Sequence, residues 1–257
     1  MFNSSTRFKI HNLNRANQRM IARHNVGPGR GWNDADFVFT GGPGCGTASG
    51  DNPVRNSTTL RAHCGRQTDR EYRTAFSMWA IGASPLLVAV DVNNMTELER
   101  STLTNPHVAA MHTDPLGQPG TMVATDDSCI TLLPDSVMRG IPACQIWAKP
   151  VSHPRNSIAV AVYNSEPQTN FLCGTERVCL DGSRSNCCMV DVAGARSHNI
   201  TISWDALPLP IHTRTNVSIF NLWEEAWVKP NRADGHVVTV SPSDAVLFKI
   251  SVLDDNP

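Results

Sequence analysis

The chain has 257 residues, 40% of them hydrophobic and 18% charged, with a net charge of −1 and a pI near 6.7. This profile excludes a disordered chain and offers no basic surplus for nucleic acid or an acidic membrane surface. No apolar run approaches the roughly 20 residues that span a bilayer, and the N-terminal "MFNSSTRFKIHN" has no signal-peptide h-region.

In chain order, "NLNRANQRMIARH" places Leu13, Ala16, Met20 and Ile21 on one helical face. A glycine-rich bend follows, "VGPGRGWNDADFVFTGG" (26–42), bringing Trp32, Asp34 and Asp36 close together. Thr68 and Glu71 have the spacing of a capping box. They open a helix whose Tyr72, Phe76, Trp79, Ala80 and Ala83 form a one-sided apolar stripe, expected in the core. Pro85 ends that helix. "LLVAVDV" (86–92) is apolar without alternation, as a parallel strand covered on both faces requires. A second capping box, Thr96 to Glu99, opens a short helix that stops before Asn105-Pro106.

Beyond "DPLGQPG" (114–120) the character changes to short β-branched runs between turns: "QIWAKPV", "SIAVAVYN", "NITISW", "NVSIFNLW", "HVVTV" and "AVLFKISV". These predict an antiparallel β-sandwich, with a domain boundary near residue 123. The cysteine-rich segment 171–188 reads as a stapled loop between strands. The eight cysteines and five N-x-S/T sequons (Asn3, Asn56, Asn94, Asn199, Asn216) point to an oxidising compartment. The spacing C-x5-C-x7-C-C at 173–188 matches no common zinc ligand pair, so disulfides are expected and a metal is not. There is no G-x-S-x-G elbow and no H-E-x-x-H pair.

Several segments carry a resemblance. "GPGRGWNDADF" is similar to the G-P-G-G-W-N-D-P-D-M segment of glycoside hydrolase family 27, the α-galactosidases and α-N-acetylgalactosaminidases. "EYRTAFSMWAIGASPLLVAVDVNNMTELE", "HTDPLGQPG", "QIWAKPVS", "ITISWDALPL" and "VSPSDAVLFKIS" resemble further family segments in the same order. The resemblance implies a mixed α/β and all-β chain. Residues 1–123 would be the C-terminal half of a TIM (β/α)8 barrel, and residues 124–257 an antiparallel β-sandwich. The bend would follow the seventh barrel strand and "LLVAVDV" would be the eighth, with the acids at strand C-terminal ends, where barrel active sites lie.

By the same resemblance Asp36 and Phe37 line a sugar pocket, while Asp34 and Trp32 shape its loop. Asp91 has an orienting role at least as much as a sugar-contacting one. Arg30 lengthens the bend, Ala35 stands where proline is usual and Phe37 replaces methionine, so the sugar preference stays open. An insertion follows in which Cys45 and Cys64 could close a local disulfide.

The family hydrolyses with retention, which needs two carboxyl groups about 5–5.5 Å apart. The resemblance puts the nucleophile on a K-Y-D-type strand end, and this sequence contains none. No catalytic residue is therefore assigned. Asp34 and Asp36, two apart, point to opposite faces if extended and do not make an acid and nucleophile couple. A barrel takes about 250 residues and a sandwich about 100, so only about half a barrel is expected.

The expected ligand is an α-galactoside-type carbohydrate, with no cofactor, no nucleic acid and no membrane, and a homodimer possible. The expected location is secreted or lysosomal/vacuolar. The reading is the C-terminal portion of an α-galactosidase-like enzyme. The alternatives are a catalytically inactive secreted carbohydrate-binding or interaction paralogue, and a decayed gene without stable product.

Overall fold

A computed structural model of the chain describes residues 27–34, 38, 69–88, 92–95, 97–126, 129, 143–166, 169–178, 184–191, 196–211 and 216–253. The helix expected over 12–24, Asp36, Phe37, Asp91, Thr68, Thr96 and the Cys45 to Cys64 insertion lie outside these residues.

Helix α1 (Asp69–Ile81) presents the expected stripe to the core, with Phe76 and Trp79 each 2% exposed. It ends in a Schellman closure. Ala83 takes a left-handed φ of 51°, Ser84 N donates to Trp79 O and Ala83 N donates to Ala80 O. Helix α2 (Glu97–Leu103) stops where expected. The sequence reading missed α3 (Pro106–His112). Asn105 caps it, its side chain accepting from His107 N and Val108 N, with Pro106 in the first turn, where its missing N–H costs nothing. Asn105-Pro106 thus ends one helix and starts the next.

In the described part of "LLVAVDV" the expected parallel pairing is present and the cover on both faces is not. Val88 pairs with Val38 in a parallel bridge, and Val38 N donates to Leu87 O at 2.8 Å. Val38 is buried, but Leu87 and Val88 are 47% and 41% exposed, so these residues are not covered on both faces.

The principal sheet has six strands in the order β1-β2-β3-β10-β7-β8, every neighbouring pair antiparallel. They are β1 (Thr121–Asp126), β2 (Cys144–Val151), β3 (Ser157–Asn164), β7 (Asn216–Asn221), β8 (Ala226–Val228) and β10 (Asp244–Leu253). β1 was not predicted, and the boundary expected near residue 123 falls inside it. A two-stranded sheet, β6 (His198–Ser203) with β9 (Gly235–Val240), packs against one face. There Ile146, Ala148, Val160, Val162 and Ile250 meet Ile200, Ile202 and Val240. The opposite face, with Trp147, Ala159, Ala161, Tyr163 and Leu247, packs on α1 and α3. Burial on both faces explains why β2 and β3 show no apolar-polar alternation although they are antiparallel.

Where a loop was expected the chain forms a hairpin, β4 (Thr169–Val178) with β5 (Arg184–Asp191), whose register shifts between Cys173 and Arg177. Its polar and cysteine-rich composition hid the strands, while Asp181-Gly182 between them is a hairpin-turn signal. A disulfide joins Cys129 to Cys144, tying the segment after β1 to the start of β2.

Candidate functional site

The bend at 27–31 closes on itself. Gly27 N donates to Gly31 O at 2.9 Å, and Arg30 N and Gly31 N both donate back to Gly27 O. Gly27, Gly29 and Gly31 have φ of 131°, 78° and 96°, conformations that side-chain-bearing residues rarely adopt. That requirement, more than any sugar contact, accounts for the glycine spacing.

The bend is fastened from outside. The Trp32 indole Nε1 donates to Gly117 O at 2.7 Å, across 85 residues of chain. Gly117, in the linker ahead of β1, also has a left-handed φ of 56°. A Cβ there would lie 2.9 Å from Pro28 Cδ and 3.2 Å from Trp32 Cζ2. Pro28 and Trp32 therefore seat on a surface that only glycine leaves open. Trp32 is still 44% exposed, Asn33 is half-buried and Asp34 is exposed. The parallel bridge of Val38 with Val88 holds the far side of the loop against the segment after α1. Asp36 and Phe37 fall between these two anchors in sequence, outside the described residues.

The linker has its own support. Asp114 accepts from the Ser152 amide and hydroxyl, each at 2.7 Å, and from Leu116 N at 3.0 Å. Partial burial pushes the Asp114 carboxyl up, but these hydrogen bonds outweigh it and hold the group below the usual carboxylate range. Beside it Lys149, wholly buried, donates from Nζ to Ala80 O and His112 O, at 3.3 Å each. A cation there complements the C-terminal ends of α1 and α3. Burial drives its pKa down to about 8, with Asp114 opposing the drop. His112 Nε2 lies 2.8 Å from Ser84 O, and burial lowers its pKa. Gly117, Asp114 and Lys149 fix the bend and the linker, and the sequence reading gave none of them a role. The "DPLG" and "WAKPVS" segments that contain them were the available signal.

One group of cysteine and histidine side chains lies close enough to hold a metal among the described residues: Cys129, Cys144 and His198. Its two sulfurs are bonded to each other, which leaves no thiolate ligand, and His198 Nε2 lies 2.9 Å from Glu166 Oε1. Among the described residues no helix is long and apolar enough to cross a membrane.

Comparison with known proteins finds similar sequences and structures. Residues 142–250 match the alpha galactosidase C-terminal beta sandwich domain. Alpha-galactosidase 3 of Arabidopsis thaliana is 26% identical over 227 residues, 88% of this chain and 36% of that protein. An alpha-galactosidase of Oryza sativa is 29% identical over 135 residues, 52% of this chain and 23% of that protein. Among solved structures, alfa-galactosidase from Saccharomyces cerevisiae superimposes with a TM-score of 0.59 at 17% identity, covering 95% of this chain and 51% of that one. A family 27 β-L-arabinopyranosidase from Geobacillus stearothermophilus gives a TM-score of 0.55 at 16% identity, over 89% and 39%. The chain spans about a quarter to a third of these curated relatives and about two fifths to half of these structures. Its fold is similar to the C-terminal part of these structures, and residues 142–250 are the stretch that matches the β-sandwich domain.

Proposed function

We propose that this chain serves a retaining α-galactosidase-type glycoside hydrolase, acting on terminal α-linked galactose or N-acetylgalactosamine. In this reading it supplies one wall of the sugar pocket and the sandwich domain, and both catalytic carboxylates come from outside this sequence. Asp36 accepts hydroxyl protons of the sugar and Phe37 packs on its C–H face, the two chemistries a pyranose offers. Trp32 and Asp34 hold the loop. The observation that carries the reading is the double anchoring of the bend, by Trp32 on Gly117 and by Val38 on Val88. The anchored bend carries the exposed Trp32 and Asp34 next to an isolated parallel bridge, which fits a loop at the end of a barrel strand. The exposure of Leu87, Val88 and Val92 (65%) supports the second half of the proposal, because a completed barrel would cover such side chains. Secretion, glycosylation at the sequons and residence in an oxidising compartment belong to the same proposal.

The test uses the 257-residue chain and the full gene product side by side. The chain alone is expected to bind galactose, seen by saturation-transfer NMR, and to hydrolyse no p-nitrophenyl α-galactoside. In the full product Asp36→Asn is expected to weaken sugar binding and slow hydrolysis. Hydrolysis by the chain alone would overturn the placement of the catalytic acids, and unchanged kinetics in Asp36→Asn would remove that residue from the pocket. Galactose binding by a full product of about the same mass, without turnover, would favour the inactive carbohydrate-binding alternative.

A further inference from the structure

Away from the bend, the most exposed large apolar side chain among the described residues is Trp227, at 71%. It lies on β8, an edge strand of the six-stranded sheet. Proteins ordinarily keep large apolar side chains off sheet edges, where they invite association. This indole is also held in place. Phe220 meets it edge to face, with ring centroids 5.0 Å apart and planes at 62°. Phe220 in turn meets His107 at 4.9 Å, and His107 Nε2 lies 3.9 Å from Glu225 Oε2.

Glu225 is also where this row of side chains joins a groove of about 420 Å³. The groove lies between α2, the start of α3 and the turn before β8, and Glu97, Arg100, Thr104, Trp223 and Glu224 line it. The Arg100–Glu97 pair, at 4.0 Å, is solvent-exposed on both sides, and Arg73 lies over the Trp223 ring while it pairs at 3.3 Å with the exposed Glu224. Such groups exchange partners at little cost.

The chemistry selects among ligands. Glu97, Glu224 and Glu225 outnumber Arg73 and Arg100, so a phosphate or other anion is disfavoured. The lining mixes these charged groups with Leu98, Pro106 and Trp223, which suits neither an apolar peptide nor the dry centre of a dimer interface. What fits is a neutral molecule with many hydroxyls and a C–H face. Its hydroxyls pair with carboxylates and guanidinium groups, and its C–H face stacks on an indole.

We propose that Trp227, His107 and the adjoining groove form a second carbohydrate-binding surface, for internal pyranose units of a polysaccharide or glycan chain. The ligand class rests on the proposed function, but the surface stands on the sandwich edge and the ends of α2 and α3, not on the bend. It would hold a long substrate on the sandwich while a terminal residue occupies the barrel pocket.

The experiment is affinity electrophoresis of the 257-residue chain in native gels containing galactomannan, with mannan lacking galactose and no polysaccharide as references. Retardation is expected for the wild type. Trp227→Ala is expected to weaken it about tenfold, with an unchanged melting temperature, and Glu225→Gln to weaken it less. Asp36→Asn is expected to lose free-galactose binding by NMR while keeping the retardation. That result separates failure of the pocket assignment from failure of this one. Equal retardation of wild type and Trp227→Ala overturns the proposal. So does absence of retardation in the wild type, or a wild-type dimer that Trp227→Ala converts to monomer while retardation persists.

Discussion

Lys149 offers the sharpest check on how the two parts of the chain are joined. It sits on the helix-facing side of β2, wholly buried, donating to the last carbonyls of α1 and α3. Asp114 is the acidic group that supports its charge, and His112, itself lowered by burial, packs nearby. Burial moves the Lys149 pKa from 10.5 to about 8. At about 1.4 kcal/mol for each tenfold change in proton affinity, the folded state carries an ammonium that costs roughly 3 kcal/mol relative to its neutral form. Below pH 8 both folded and unfolded chains hold the proton and the cost is fully present. Between pH 8 and 10.5 the unfolded chain binds more protons than the folded one, so stability rises with pH. Lys149→Met keeps most of the volume and removes the charge. Ala80 O retains Ala83 N as a donor, so one of the two carbonyls is not orphaned. At neutral pH the relief of the ammonium's burial cost offsets the loss of its two hydrogen bonds, so the variant is expected to be about as stable as wild type. Urea unfolding from neutral pH to about pH 10.5 should show wild type gaining ~3 kcal/mol over Lys149→Met. Tyrosines and other groups titrate in both proteins and cancel in the difference. Parallel stability profiles for the two proteins would refute the reasoning, because they would mean the ammonium is already solvated.

Gly120 should tolerate no side chain. A Cβ there would lie 2.7 Å from Ile81 Cγ2 and 2.9 Å from Ile81 O, so Gly120→Ala is expected to cost about 1–3 kcal/mol in thermal unfolding. Little change would mean that the linker does not pass so close to the end of α1. Gly117→Ala strikes the fastening of the bend, through its left-handed φ and the contacts with Pro28 and Trp32. It is expected to weaken galactose binding severalfold and to blue-shift or quench Trp32 emission differently from wild type. Unchanged binding would separate the bend from the pocket. Cys144→Ser opens a link between residues 15 apart, and loop-closure entropy puts the loss near 3 kcal/mol under oxidising conditions. Equal melting of variant and wild type without reductant would show that the bond does not form in solution.

What the sequence disclosed and what it hid divide along a physical line. The α1 stripe was legible because a helix with one buried face imposes a 3.6-residue period that survives in any context, and Phe76 and Trp79 obey it. β2 and β3 were legible as strands. Their burial on two faces was not, because it depends on α1 and α3 covering a sheet that a plain sandwich would leave wet. Lys149 shows this most clearly. In "QIWAKPV" a lysine reads as a solvated position, and only the two helix ends above it turn that position into a buried cation site. α3 was missed because Asn105-Pro106 is a valid stop signal for α2, and one dipeptide can serve two helices. β4 and β5 were missed because their strand character comes from backbone pairing with each other, not from apolar side chains. The bend could be read, since three glycines in five residues have few other uses. Its fastening could not, because Trp32 and Gly117 are 85 residues apart and nothing local in either segment calls for the other. Local rules therefore identify the loop of the proposed sugar pocket. Whether that loop is held in place is decided by the linker between barrel and sandwich, and Gly117→Ala tests that link directly.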